Sequence, residues 1–512
     1  MKKKILTISC LAAISLTVVS CKKDFLEQPS PNAIEVKASF RSPADVLSAV
    51  NGIYLSLRSS NNIGENSGLW TDERSDDTGR NDNQSNAGEP FQFGDFSLLP
   101  SNTYLKSHWV SLYTTISRAN IVLENIDKVT FADADLKQQY IAESKFLRAV
   151  MYFHLVRTWG DVPLVTKSFT TVDEVNAATF REKQATVYAQ IVADLKDALN
   201  STLPNLQTGA GIGRASKAAI NATLGQVYLT MATTQDQANR TANLNNAKTY
   251  LLAAYNVRTF GALSSIPYTD VFDVAKKASC PELIWQIVNK QGDPTYSSSI
   301  AYNNQAKGET INSLKPNSGV GGNVTPDLIK DYETGDPRMA FSVKYANDPI
   351  VKDYFITKFR DASALASNLG YGGNDWILIR YADVILMLAE VNSYLGDNTT
   401  AISYLDMVRT RAGMPGYTAS LTNATYAAKY PNLRLAILHE RRVELAFEHH
   451  RWFDLLRTFT TDELVAYFRA KSQADFGIPK LANFTTKDRY FPIPFDEYKL
   501  NPEKMYQNPG YL

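Results

Sequence analysis

The sequence predicts a mainly α-helical protein in which tetratricopeptide-like helical hairpins form a scaffold and long irregular loop inserts form the ligand-binding face. Three observations carry this. Paired segments repeat apolar residues at three- and four-residue steps, the period of a helix with one buried face. Leu224-Gly225-Gln226-Val227-Tyr228 matches part of the tetratricopeptide pattern. Two long stretches lack any such period yet are rich in aromatic residues.

The first hairpin joins 105–128 to 136–158 across a turn containing Asp133. Trp109, Leu112, Tyr113, Ile116, Ala119, Leu123 and Ile126 line one side, and Phe146, Ala149, Val150 and Phe153 line the other. The second pairs 216–232 with 244–255, where Leu244, Ala247, Leu251 and Ala254 share a face. The third pairs 377–395 with 399–412 across Gly396-Asp397, so that Tyr381, Ile385, Leu388 and Ala389 meet Ala401, Leu405 and Val408. Each pair buries its stripe only against a neighbouring pair, so the array is read as one scaffold spanning 21–512. Trp109 and Trp452 sit on periodic faces and are expected in the core.

The two inserts lie near 59–104 and 260–375. The first is polar but holds Trp70, Phe91, Phe93 and Phe96; the second carries Trp285, Tyr296, Tyr302, Tyr332, Tyr345, Tyr354 and Tyr371. Irregular segments of this length inside a compact protein are usually functional, and loops held on a rigid scaffold are where binding groups tend to sit.

The N-terminus reads as an export signal. Lys2, Lys3 and Lys4 precede a short apolar run that ends at Val18-Val19-Ser20-Cys21. The run is short for a bilayer about 30 Å thick. A cysteine after a small residue at this point is similar to a bacterial lipobox, which implies cleavage after residue 20 and acylation of Cys21. Without residues 1–20 the chain has 50 basic and 52 acidic residues, a net charge of −2. No basic excess favours nucleic acid. Cys280 is then the remaining thiol, which leaves no disulfide framework and no cysteine metal site.

Further motifs extend the reading. Asp24-Phe25-Leu26-Glu27-Gln28-Pro29 follows the lipobox, and the run from Arg380-Tyr381-Ala382-Asp383 to Glu390 opens the third hairpin. Near the C-terminus stand Glu440-Arg441-Arg442-Val443-Glu444-Leu445-Ala446-Phe447-Glu448 and Arg451-Trp452-Phe453-Asp454-Leu455-Leu456-Arg457. The chain then ends with Phe491-Pro492-Ile493-Pro494, Asn501-Pro502 and Gln507-Asn508-Pro509-Gly510-Tyr511. In this order the motifs resemble the SusD/RagB family of outer-membrane nutrient-binding lipoproteins. The resemblance implies a lipid-anchored protein facing the cell exterior that binds an oligo- or polysaccharide. It also implies a partner, a SusC-like TonB-dependent outer-membrane transporter, and no cofactor. One departure stands out: His449-His450 occupies the place where the family has glycine, which would allow a left-handed turn without strain.

A sugar ring offers a flat C–H face and a hydroxyl edge, so its site needs an aromatic platform and amide, carboxylate or guanidinium groups. Trp70, Phe91, Phe93, Tyr296 and Tyr302 are the candidate platforms; Asp72, Arg74, Asp76, Asp77, Arg80 and Asn81 are the candidate polar set. Catalytic and metal signatures are absent. His439-Glu440-Arg441-Arg442-Val443 lacks the second histidine of a zinc helix, and Glu448-His449-His450 has adjacent rather than i,i+4 ligands. Glu440, Glu444 and Glu448 share one helical face rather than opposing each other across a substrate, so they read as a stripe of ion pairs with nearby arginines. Two alternatives stay open on the same scaffold: capture of an oligopeptide, and a surface hydrolase.

Overall fold

The computed structural model describes residues 39–79, 88–169, 171–317, 323–348, 352–472, 474 and 483–511. Cys21, Arg80 and Asn81 lie outside the described residues.

Helix α1 (Pro43–Leu57) starts at a capping box in which Ser42 and Asp45 satisfy each other's backbone, with Pro43 in the first turn. Val46, Val50, Ile53 and Leu57 form its buried face. Helix α2 (Thr103–Asn125) and α3 (Ala134–Trp159) form the first predicted hairpin, and Asp133 caps α3 by accepting from two backbone N–H groups. α3 also packs along α4 (Gln184–Leu199). α5 (Lys217–Thr230) and α6 (Arg240–Asn256) make the second hairpin, and α7 (Tyr381–Tyr394) with α8 (Asn398–Arg411) the third. Gly225 is the reason α5 and α6 lie so close: a Cβ there would overlap the buried side chain of Leu251. α6 packs on α7, and so the pairs stack into one helical array.

The third hairpin begins later than its periodicity suggests. Residues 377–380 belong to strand β4 (Trp376–Arg380), which pairs antiparallel with β1 (Leu283–Ile287). Run after run of buried apolar residues suits either element, and the helix and strand are separated here only by pairing. This ribbon clamps together the two ends of the second insert, and Trp285 rests against Phe146 of α3 at 4.7 Å. Inside the insert, β2 (Val343–Tyr345) and β3 (Tyr354–Ile356) form a second ribbon.

Helices α9 (Leu433–Glu444), α10 (Arg451–Thr458) and α11 (Thr461–Arg469) follow. The C-terminal segment then returns to α3. Trp159 Nε1 donates to the Pro492 carbonyl at 3.0 Å, and Asn508 Nδ2 donates to the carbonyls of Trp159 and Phe491. The carbonyl of Trp159, at the end of α3, also accepts from Arg181 Nη2 at 3.1 Å, so this helix end is satisfied from two sides. Trp109 and Trp452 are buried, as expected, and the main apolar core draws on residues from Phe40 to Met505. Among the described residues no helix is long and apolar enough to cross a membrane.

Candidate functional site

Both inserts are held on the scaffold by buried charge. Arg380, at the start of α7, reaches Glu282, Glu444 and Glu448, each at 2.7 Å. Arg338 from the second insert pairs with Asp336, Glu440 and Glu444 at 2.6–3.0 Å. Lys358, also from that insert, meets Glu448 at 2.6 Å. Arg442 of α9 holds Asp77 of the first insert at 2.7 Å and Asp327 of the second at 2.8 Å, and Arg451 holds Asp76 at 2.7 Å. All of these side chains except Asp327 are almost wholly removed from solvent. The expected stripe of glutamates is real, but it pairs outward to the inserts. Glu448 lies beyond the end of α9, past Phe447 at φ 66°.

The inserts are also stitched to each other. Glu65 accepts from Ser299 N at 2.8 Å and from the hydroxyls of Ser298 and Ser299. Thr78 bridges Val324, Gly79 N donates to Asn323 O, and Thr325 N donates to Asp77 O.

Between them lies a cavity of about 610 Å³, within the usual range for ligand sites. The first insert supplies Asn61, Glu65, Asn66, Gly68, Trp70, Asp72 and Glu73, with Tyr104 at its far end. The second supplies Tyr302, Asn303, Asn304, Asn317, Asn323 and Phe359, and Phe447 and His449 close the floor. Six asparagine amides and three carboxylates thus face one space, with no lysine or arginine among the described lining residues. Tyr302 is half-buried, and Lys315 Nζ sits 3.9 Å from its ring centre.

Of the candidate residues, Trp70, Asp72 and Tyr302 meet in this cavity. Trp70 is only 2% exposed and stacks on His108 at 3.9 Å, so it stiffens the wall more than it offers a face. Burial, and next the charge of Asp77, push the Asp72 carboxyl well above the usual carboxylate range. The other candidates are elsewhere. Arg74 is fully buried, donates to the Asp488 carbonyl at 2.7 Å and lies over Phe491. Asp76 and Asp77 are consumed by Arg451 and Arg442. Phe93 packs in the core against Phe491, and Phe91 leans on the cluster around Trp452. Tyr296 is exposed and faces a separate groove. The reading of Arg74, Asp76, Asp77, Phe91 and Phe93 as ligand contacts is therefore corrected: distant arginines draw the two aspartates inside, Arg74 is taken up by Asp488 and Phe491, and the two phenylalanines join apolar clusters.

His449 is a wall residue that sequence reasoning set aside. It adopts φ 64°, the left-handed turn for which glycine is suited, and Gly68 leaves room for its ring: a Cβ there would stand 3.2 Å from Nε2. The ring packs on Trp376 and contacts Ser67 Oγ at 2.6 Å through Nδ1, with Asp72 3.8 Å from Nε2. Ser67, His449 and Asp72 are thus the residue types of a hydrolytic triad, but the chemistry does not follow. Burial lowers the imidazole to about 3, a poor base at neutral pH. Ser67 is itself 3% exposed and within hydrogen-bond reach of Gly64 O. The departure at 449 is the signal that could have found this residue.

Among the described residues, Glu333, His439 and Glu440 bring metal-type donor atoms within 4.8 Å of one another. Arg409 already bridges the two carboxylates at 2.7 and 2.9 Å, which makes the group a node of the ion-pair lattice.

A helical-repeat scaffold that carries an open, amide-rich cavity between two pinned inserts defines a solute-binding class of protein. Comparison with known families gives the same class. The model of the SusD family matches residues 347–511, and one described as starch-binding associating with outer membrane matches 24–229. The chain is 27% identical to SusD-like protein P2 of Formosa agariphila, covering 97% of this chain and 98% of that protein. A solved SusD superfamily protein from Parabacteroides distasonis superposes with a TM-score of 0.75 at 23% identity, over 91% of this chain and 99% of that one. A laminarin-binding SusD-like protein gives 0.72 at 25% identity, over 92% and 100%. The chain is thus similar to the SusD family in both its N-terminal and its C-terminal part.

Proposed function

We propose that this chain is a cell-surface lipoprotein, anchored through acylated Cys21, that binds a glycan and passes it unaltered to a SusC-type TonB-dependent outer-membrane transporter. The cavity between the inserts carries this reading. Its amides and carboxylates suit a hydroxyl edge, and Tyr302 and Tyr104 suit the C–H face of a ring. The laminarin-binding relative and the family description that refers to starch support a saccharide as the solute.

The test is isothermal titration of the purified mature chain with neutral oligosaccharides, laminarihexaose and maltohexaose among them, followed by chromatography of the recovered sugar. A bound, uncleaved oligosaccharide is expected, and Tyr302→Ala should weaken it about tenfold, or about 1.4 kcal/mol. Cleavage products, or binding of peptides alone, would contradict the proposal.

A further inference from the structure

A second groove of about 410 Å³ draws on the same two segments as the larger cavity: Ser60, Asn61, Ile300 and Tyr302 line the larger one, whereas Leu57, Arg58 and Tyr296 line the groove. Its walls come from the end of α1, the loop at 210–214 and the run that continues β1. Tyr296 is 47% exposed here, beside Leu55 and Val288, which are also exposed. The backbone of Tyr296 is fixed by Asp293 and Lys290, so the ring projects from a held position.

The charge of this groove is opposite to that of the larger cavity. Arg58, Arg214 and Lys290 line it, and no carboxylate does among the described residues. Arg214 is neutralised by Glu143 at 2.9 Å and Lys290 by Asp293 at 3.0 Å. Arg58 differs. Its guanidinium donates to the carbonyls of Val288 and Ser297, lies 5.6 Å from the Tyr296 ring centre, and has no carboxylate within ion-pair distance among the described residues. Two of its five N–H donors are spent on neutral carbonyls, and the fork geometry of the remainder suits a carboxylate or sulfate.

We propose that this groove is a second ligand site that takes an acidic sugar unit, its ring on Tyr296 and its carboxylate or sulfate on Arg58. The larger cavity, which has carboxylates and no lysine or arginine among its described lining residues, takes neutral units. The proposal rests on the glycan-binding reading above. A single glycan carrying both kinds of unit then has a place for each.

The experiment is isothermal titration of the full mature chain with a galacturonate pentasaccharide, a sulfated carrageenan tetrasaccharide and a neutral glycan that binds in the panel above. At least one acidic oligosaccharide should bind, with affinity falling severalfold between 50 and 300 mM salt. Tyr296→Ala should weaken that binding tenfold or more, and Arg58→Lys severalfold, while neutral-glycan affinity stays unchanged. Tyr302→Ala should do the reverse. The proposal is overturned if neither acidic probe binds, if their binding ignores Tyr296→Ala, or if it follows Tyr302→Ala. Loss confined to the acidic probes leaves the glycan reading standing; failure of the neutral ones as well removes both.

Discussion

His449 combines strain with contact. A left-handed backbone costs a non-glycine residue about 1–2 kcal/mol, and here the ring recovers it through Ser67 and the face of Trp376. Two substitutions separate the terms. His449→Ala keeps the strain and loses the contacts, whereas His449→Gly loses both. Thermal unfolding should therefore rank wild type above His449→Gly and His449→Gly above His449→Ala. An alanine variant at least as stable as the glycine variant would mean that the backbone strain is not felt. The same ring forms part of the cavity floor, so both variants should also weaken ligand binding.

At the scale of elements, the inserts owe their shape to the ion-pair lattice. Removing one member leaves buried charges uncompensated, which typically costs about 3–5 kcal/mol. Arg380→Ala takes one cation from each of Glu282, Glu444 and Glu448 at once and leaves them to Arg411, Arg338 and Lys358. Denaturant unfolding should show a loss of about that size, and an effect below 1 kcal/mol would show that the lattice is not holding the inserts. The hairpins were legible in the sequence because a 3.6-residue period is a local property. The partners of the charges were not, because Arg442 meets Asp77 from 365 positions away. For the same reason the region of the cavity was legible while most of its contact residues were not. A polar, aromatic-bearing insert marks where a site lies, but burial decides which side chains face it. Ser42, Pro43 and Asp45 spell the start of α1 in the sequence, whereas α4 has no side-chain cap at its start to mark it.

The whole molecule couples these buried groups to pH. Burial lowers His108 and His449 to about 3, and lowers His154 and His450 too. Each binds its proton more readily unfolded than folded, so its stability contribution is complete above pH 6.5 and is lost as pH falls towards 3. His439 is shifted the other way by Asp331 and Glu333, against the pull of its burial, and opposes this in part. Glu333, Glu448 and Asp454 are held at about 2 by the cations around them, which overcome burial, and add a second loss as pH falls from about 4.5 to 2. Asp72, raised by burial, takes up its proton more readily folded and offsets part of the first loss, so unfolding midpoints should decline gently from pH 7 to 5 and steepen below 4.5. His108→Gln should flatten the first limb by up to about 1.4 kcal/mol per pH unit; an unchanged slope would contradict the assignment. The most direct test of the whole account is a crystal structure of the mature chain with the neutral oligosaccharide that binds it most tightly. An uncleaved sugar is expected between Gly68, Tyr302 and His449, with a ring against Tyr302. A sugar seated elsewhere on the scaffold with that space empty, or a hydrolysed one within it, would contradict it.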